Sequence, residues 1–303
     1  MPEPMVNDPG TSARRRVLIV GAGAGPARAL REVLRDDGHH YVTLCTRRPI
    51  DIMLGEVSRV VGDYRDAPVN EADIVVNFVG QVSGSDAALY RQLNVDLPVE
   101  LARRARAAGV RRLIHLSTLS LYGRARDIGS STPADPRSLY GSTKLEGDTA
   151  LLSLATPDFR VTVLRAPAIY GPGLRGKLAT LTRVMNGVPV FVAPAEDGPR
   201  STLHVRHLAF AIAAVIDADL DGLRFAADPW PFSLSVLAHA MASRGRPVTI
   251  LRMPDWSLAS LKAVVPGAYQ SLFGRSVIAP DDVVLSHHRN YLGPDRALED
   301  LLD

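Results

Sequence analysis

Tyr140 and Lys144 stand four residues apart in the stretch Ser138-Leu-Tyr-Gly-Ser-Thr-Lys-Leu-Glu-Gly147. In a helix that spacing projects both side chains from one face, a turn apart. A tyrosine phenol titrates near ~10 in water, too high for a base at neutral pH. A fixed ammonium beside it favours the phenolate and lowers that value. Such a pair can pass a proton to or from a substrate hydroxyl or carbonyl. The same spacing occurs on helices with no chemistry at all, so the surrounding chain has to decide between the two.

The elements that would position this pair begin at Arg16-Val-Leu-Ile-Val20, a short β-branched run. It ends in Gly21-Ala-Gly-Ala-Gly-Pro-Ala27, and an amphipathic helix with Leu30, Val33 and Leu34 on one face follows. Strand, glycine-rich turn and helix form a dinucleotide-binding context, in which Gly21, Gly23, Ala24, Gly25 and Pro26 would lie along a pyrophosphate at the helix N-terminus. A plain tight turn is the alternative. A second strand, 41–45, ends in Thr46-Arg47-Arg48. A carboxylate there would hold a ribose 2′-hydroxyl, and none is present. Arg47 and Arg48 either hold a 2′-phosphate or are solvated loop residues.

Further strands are expected at 59–63, ending in Asp63, at 73–80, apolar enough for burial on both faces, and at 111–116, stopping at Ser117-Thr118. A helix is expected from Asp86 to Ala108, closed by Gly109. The segment 124–137, rich in Gly, Ser, Pro and Asp, reads as a loop over the site. The Tyr140 helix and a strand at 160–164 come next. Strands alternating with helices make an α/β fold, a doubly wound parallel sheet of the Rossmann type, with ligands at the strands' carboxyl ends. Residues 1–15 are expected as a flexible tail and 16–165 as the dinucleotide-binding domain. Residues 166–303 would form mainly a smaller C-terminal substrate-binding lobe, with 201–217 returning to the large sheet.

Composition bounds the function. The chain has 303 residues, a formal charge of +3 and one cysteine, Cys45. The small, scattered positive excess implies no nucleic acid. A single cysteine excludes an internal disulfide and fits a reducing compartment. No apolar run reaches membrane-spanning length, and the first residues hold no apolar signal core. A cytoplasmic protein with no membrane partner is expected.

The motifs fall in a specific order: the glycine-rich turn, Gly62-Asp63, Asn77-Phe-Val-Gly80, Asn94-Val95, Leu116-Ser-Thr-Leu-Ser-Leu-Tyr-Gly123, Tyr140 and Lys144, then Leu164-Arg-Ala-Pro-Ala-Ile-Tyr-Gly-Pro172. In this order they resemble the extended short-chain dehydrogenases/reductases, the NAD(P)-dependent epimerase/dehydratase family. The resemblance implies Tyr140 as acid/base, with Lys144 on the nicotinamide ribose and tuning Tyr140. It implies Thr118 on the reacting oxygen, Asn94 as a structural residue, and Asp63 against the adenine. Phe78, Val79 and Gly80 would line the cofactor, and Pro167 to Ile169 would abut the nicotinamide. Arg200 would meet a substrate diphosphate, its alternative being a surface arginine. The family's glycine pattern is altered here, with Ala24 and Ala27 in its second and third places, which puts methyls near the pyrophosphate. Leu119 and Ser120 follow Thr118 where the family's dehydratases carry an Asp-Glu pair, which argues against water loss. His207, His287 and His288 lack metal-ligand spacing, and no metal is expected.

The implied function is hydride transfer at a hydroxyl or keto carbon of a nucleotide sugar, as a 4-epimerase or 4-ketoreductase. The arginines after strand two favour NADP as cofactor, with NAD as the alternative. A small-alcohol or steroid-type dehydrogenase, and a non-catalytic NADP(H)-binding regulator, are the competing functions. Nothing in the sequence opposes a homodimer.

Overall fold

The computed structural model describes residues 14–174, 176–195, 198–264, 269, 273–284 and 291–302. Its centre is a seven-stranded sheet. The strands are β1 (Arg15–Val20), β2 (His40–Thr46), β3 (Glu56–Val60), β4 (Ile74–Asn77), β5 (Arg112–Thr118), β7 (Arg160–Ala166) and β11 (Gly222–Phe225), with β6 (Asp127–Ile128), β8 (Ala168–Tyr170), β9 (Val190–Pro194) and β10 (Thr202–His204) lying outside it. Their order is β11-β7-β5-β4-β1-β2-β3, and every neighbouring pair is parallel. The order reverses direction at β1 and β4, so a crevice opens at the strands' carboxyl ends there.

Both faces of the sheet are buried, and β1 shows how. Val17 and Ile19 point into a core shared with α1 (Gly25–Asp37) and α6 (Val205–Asp217), where Leu30, Leu34, Leu208 and Ile212 meet them. Leu18 and Val20 point the other way, towards Leu97, Leu101 and Ala105 of α3 (Leu97–Ala107) and Leu151 of α4 (Leu139–Leu152). A strand with helices on both sides has to be apolar at consecutive positions, which is why the period-two alternation of a half-exposed strand is missing.

The helix expected over 86–108 is one rod in two pieces. After α2 (Ala87–Arg91) a π-turn spans Gln92–Asp96 before α3 continues. Asp86 caps it, accepting from the backbone N–H groups of Ala88 and Leu89. The third strand lies three residues earlier than expected. Asp63 falls beyond it and caps a 3₁₀ turn, accepting from the Arg65 N–H and pairing with its guanidinium at 3.0 Å.

The return to the large sheet is made differently from the expectation for 201–217. Strand β10 (Thr202–His204) pairs with β8 (Ala168–Tyr170) as a separate ribbon, α6 packs on α1, and β11 is the strand that joins the sheet. The C-terminal lobe has its own core. It contains α5 (Lys177–Asn186), β9 (Val190–Pro194), α7 (Leu234–Ser243) and β12 (Thr249–Met253), followed by α8 (Ala259–Val264), β13 (Val277–Ile278) and α9 (Pro294–Glu299). The loop 124–137 is tied to this lobe through the β6–β13 pair.

Candidate active site

The glycine-rich turn joins β1 to α1 at the crevice. Gly21 sits at φ +79°, and a Cβ there would lie 2.9 Å from Val79 Cγ2, so only glycine fits. Ala24 is the N-cap of α1 and offers no side-chain oxygen, while Pro26 fills the first turn. Pro26 has no N–H and the Ala27 N–H goes to the Ala24 carbonyl, so in the first turn of α1 it is the Gly25 N–H, with the helix dipole, that is left for an anion. Ala27 is fully buried among the core residues under α1. Its methyl thus fills the helix–sheet contact and does not crowd the turn. Leu174 lies over Gly25 and takes the space a Cβ there would need. These features fit a dinucleotide phosphate. Arg47 and Arg48 follow β2 with exposed side chains, and the Arg47 guanidinium stands 5.4 Å over the Tyr64 ring.

Strand β4 ends at Asn77, fully buried, and Phe78 to Gly80 leave the sheet there. Asn94, in the π-turn, accepts from the Gln81 N–H and donates to the Gln81 carbonyl and to Thr143 Oγ1, so its whole amide is structural.

Thr118 closes β5, and Tyr140 opens α4, whose N-cap Ser138 accepts from the Gly141 N–H. The Thr118 hydroxyl lies near the Tyr140 phenol and favours its ionised form. Thr118 Oγ1 gives its own proton to Ser120 Oγ at 3.2 Å. Two of the three expected catalytic groups therefore stand side by side. The Tyr90 ring lies 6.5 Å from that of Tyr140.

Lys144 departs from the expectation. It is buried on the same helix face, but its Nζ lies 2.7 Å from His115 Nε2 and donates to the Leu116 carbonyl at 2.8 Å. The expected lowering of the Tyr140 phenol by an adjacent ammonium is absent. Burial raises the Tyr140 phenol instead, and the neighbouring Thr118 hydroxyl is what opposes it. Burial also pushes Lys144 down to about 8, against the attraction of Asp148. The physical reason is desolvation, which disfavours the charged form of each group.

Asp148 lies one further turn along α4, fully buried. It accepts from Ser117 Oγ at 2.8 Å and Arg165 Nε at 3.0 Å, and Arg165 donates to the Tyr122 phenol at 2.6 Å. His115, Asn77, Asp148 and Arg165 were missed from sequence. The available signals were a histidine inside an otherwise apolar, doubly covered strand, and a carboxylate continuing the four-residue spacing of Tyr140 and Lys144.

Pro167 is half-buried beside β8, and Ile169 lines an apolar cavity of about 220 Å³ with Tyr170, Leu174 and Leu178. Arg200 lies in the lobe, bridged to Phe232 and Ser276, with its guanidinium donating to the Gly274 carbonyl at 2.9 Å. His207 donates to Asp228 at 2.6 Å and accepts from the Leu292 N–H, which leaves it no proton to exchange with a ligand. His287 and His288 lie outside the described residues. Among the described residues no group of His, Cys, Asp and Glu could hold a metal, and no helix is long and apolar enough to cross a membrane.

A doubly wound parallel sheet with a Thr–Tyr pair and a buried lysine beside its crevice defines an enzyme of the extended short-chain dehydrogenase/reductase type. Residues 17–225 match the model of the NAD dependent epimerase/dehydratase family, and the chain belongs to that family. It is 24% identical over 257 residues to a UDP-glucose 4-epimerase of Vibrio cholerae, covering 78% of this chain and 76% of that one. It is 27% identical over 275 residues to a ceramide reductase of Caulobacter vibrioides, covering 86% and 80%. In fold it resembles the UDP-Glc/GlcNAc 4-epimerase of Campylobacter jejuni, with a TM-score of 0.74 at 16% identity over 95% of this chain and 98% of that one. A UDP-glucuronic acid 4-epimerase of Bacillus cereus, solved with NAD, gives a TM-score of 0.73 at 14% identity, covering 94% and 96%.

Proposed function

We propose that the protein catalyses hydride transfer at a hydroxyl or keto carbon of a nucleotide sugar, as a 4-epimerase or 4-ketoreductase. The nicotinamide supplies the hydride chemistry, and the chain supplies binding, orientation and the proton. The turn at Gly21 and the open N-terminus of α1 hold the phosphates, and Phe78 to Gly80 line the cofactor. Pro167 and Ile169 wall the ring. Asp63 faces the adenine only by giving up part of its cap. Tyr140 gives a proton to the carbonyl oxygen on reduction and takes one from the hydroxyl on oxidation. Thr118 orients the same oxygen, and Arg200 meets the diphosphate. The observation that carries this reading is that Thr118, at the end of β5, and Tyr140, in the first turn of α4, stand side by side, the Thr118 hydroxyl favouring the ionised phenol. Two groups of complementary proton chemistry thus meet at the end of β5.

The finer assignments are NADP in preference to NAD, a cytoplasmic location and, as an allowed assembly, a homodimer. A ketone reductase with a more apolar substrate is a second reading. It is favoured by the raised Tyr140 phenol, which stays protonated and ready to donate, by the apolar cavity beside Ile169, and by the ceramide reductase relative.

A panel of UDP-, dTDP- and GDP-sugars, their 4-keto forms and long-chain ketones, each assayed with NADH and NADPH, tests both. Tyr140→Phe is expected to lose ~10²–10⁴-fold in turnover while still binding cofactor. Thr118→Ala is expected to lose less, since Tyr140 remains. An active wild type whose Tyr140→Phe variant keeps most of its rate overturns the assignment. Cofactor binding with no turnover of any panel member favours a non-catalytic NADP(H)-binding regulator.

A further inference from the structure

Positive charge that the sequence spreads along the chain is gathered by the fold at one place. Parallel strands start at the same edge of their sheet, and there a cavity of about 910 Å³ lies at the amino ends of β1, β4, β5 and β7. Six arginines line it against three aspartates, so the cavity is positive. Ile74, Val110 and Phe159, all buried, are at its base. Strand β5 runs seven residues from this edge to Thr118, roughly 20 Å at ~3.3 Å per residue. A ligand in the cavity therefore does not touch Tyr140.

Three of the arginines serve the framework. Arg15 donates to the Ile216 carbonyl at the carboxyl end of α6, and Arg112 to those of Val215 and Leu220. The last carbonyls of a helix lack backbone partners and carry negative partial charge, so a guanidinium suits them. Arg112 and Arg160 also share Asp219. Asp73 is likewise taken, by Arg16 at 2.7 Å.

The other three arginines, Arg14, Arg106 and Arg111, are exposed and are not used in this way. Arg14 stands 5.4 Å over the Tyr41 ring. Arg106, in the last turn of α3, reaches the Leu154 carbonyl at a long 3.4 Å. The Arg111 guanidinium makes no hydrogen bond or ion pair among the described residues, and its charge acts on Asp73 from a distance. The turn between α3 and β5 accounts for two of them. Gly109 has φ +76°, its N–H goes to the Arg106 carbonyl, and the Val110 N–H goes to the Ala105 carbonyl. This Schellman-type ending turns the chain sharply out of the helix, so Arg111 enters β5 beside the cavity that Arg106 also lines. Among the described residues, Asp158 is the lining carboxylate that no cation pairs with.

We propose that this cavity is a second ligand site, for a small phosphate-bearing molecule whose phosphates are met by Arg14, Arg106 and Arg111. A concave surface dominated by one sign of charge focuses its field on what enters it. Like charges gathered without a counter-charge repel one another until an anion joins them. A guanidinium matches phosphate oxygens two at a time. The volume suits a ligand of nucleotide size. The carboxylates select among phosphate compounds. Asp158 and Asp73 repel the continuous phosphates of a nucleic acid, whereas they accept hydrogen bonds from the hydroxyl or amino groups of a compact ligand.

The site does not depend on the reaction proposed above, because it lies at the opposite edge of the sheet. Isothermal titration with inorganic pyrophosphate, on cofactor-free and on NADPH-saturated protein, tests it. Pyrophosphate that enters at the turn after β1 is displaced by NADPH, so binding that survives NADPH reads the cavity. Such binding is expected, and Arg106→Gln with Arg111→Gln is expected to weaken it by about tenfold or more. Arg183→Gln with Arg206→Gln removes the same charge from two exposed positions outside the cavity. That pair is expected to change the affinity by less than about twofold, since exposed charges at a distance are screened. Asp158→Asn is expected to tighten binding by removing a repelling charge. No binding of millimolar pyrophosphate to NADPH-saturated wild type overturns the proposal. Equal weakening in the two double variants overturns it too, since attraction to net charge alone would then suffice. A single-stranded oligonucleotide that binds more tightly than pyrophosphate, and loses that affinity with Arg106 and Arg111, overturns the small-ligand assignment. The wild-type titrations decide without any variant, so a variant that fails to fold leaves the test standing.

Discussion

Gly147 of α4 packs against the backbone carbonyl of Asn94, so closely that a Cβ on Gly147 would collide with that oxygen. Asn94 lies in the π-turn, and its side chain is already committed to Gln81 and Thr143. Both partners at the contact are backbone, so neither can turn aside. The helix carrying Tyr140 and Lys144 is set in place by this contact.

Gly147→Ala is therefore expected to destabilise the fold by ~1–3 kcal/mol, the usual cost of forcing a methyl into a filled interior. Denaturant unfolding measures it. An unchanged midpoint would show that α4 can retreat freely, and that the contact does not fix its position.

Arg31 of α1 pairs with Glu56 at the start of β3 through two hydrogen bonds of 2.8 and 2.6 Å, both groups being buried. Arg31 also donates to the Asp51 carbonyl, and Glu56 accepts from the Met53 N–H. The pair thus pins the loop that follows Arg47 and Arg48. Arg31→Met leaves a buried carboxylate alone and is expected to cost ~3–5 kcal/mol. The double variant Arg31→Met with Glu56→Gln is expected to recover part of that. If the single variant unfolds at the wild-type denaturant concentration, the pair is not desolvated as described.

Lys144 gives the stability curve a definite sign. Its folded value is about 8 against an ordinary 10.5, so between these values the unfolded chain binds more protons than the native one. Stability must then rise with pH across that window. Wild type is expected to gain on Lys144→Met as pH climbs from 8 to 10.5, by up to roughly 3 kcal/mol. Unfolding free energies of both proteins at several pH values read the difference directly. A flat difference would falsify the depressed lysine.

Arg47 and Arg48 follow β2 at the crevice with exposed side chains. A guanidinium–phosphate contact contributes ~1.5–3 kcal/mol, so NADPH is expected to bind more than tenfold tighter than NADH. Arg47→Ala with Arg48→Ala should remove that preference and leave NADH affinity nearly unchanged. Fluorescence titration decides it. Equal wild-type affinities for the two cofactors would mean that both arginines are solvent-facing loop residues.

The sequence by itself carried the doubly wound sheet, because local signals define it. Apolar runs such as 17–20 and 74–77 are short and continuous, as strands covered on both sides are, and Gly21 marks a turn that needs positive φ. It also carried the placement of Tyr140 and Lys144 on one face of α4, since four-residue spacing on a helix is fixed by helix geometry alone. Only tertiary structure decided what Lys144 does. His115 lies 29 residues from it and Asn77 lies 38 residues from His115. Their alignment depends on β4 and β5 being neighbours in register, with Asn77 opposite His115. The same holds for the strand that completes the sheet. Both 202–204 and 222–225 are short strands, and it is the tertiary pairing that puts the first beside β8 and the second beside β7. Hydrogen-bond donors and charges report on partners distant in sequence, and burial then sets their protonation, so spacing alone could name the groups but not their states.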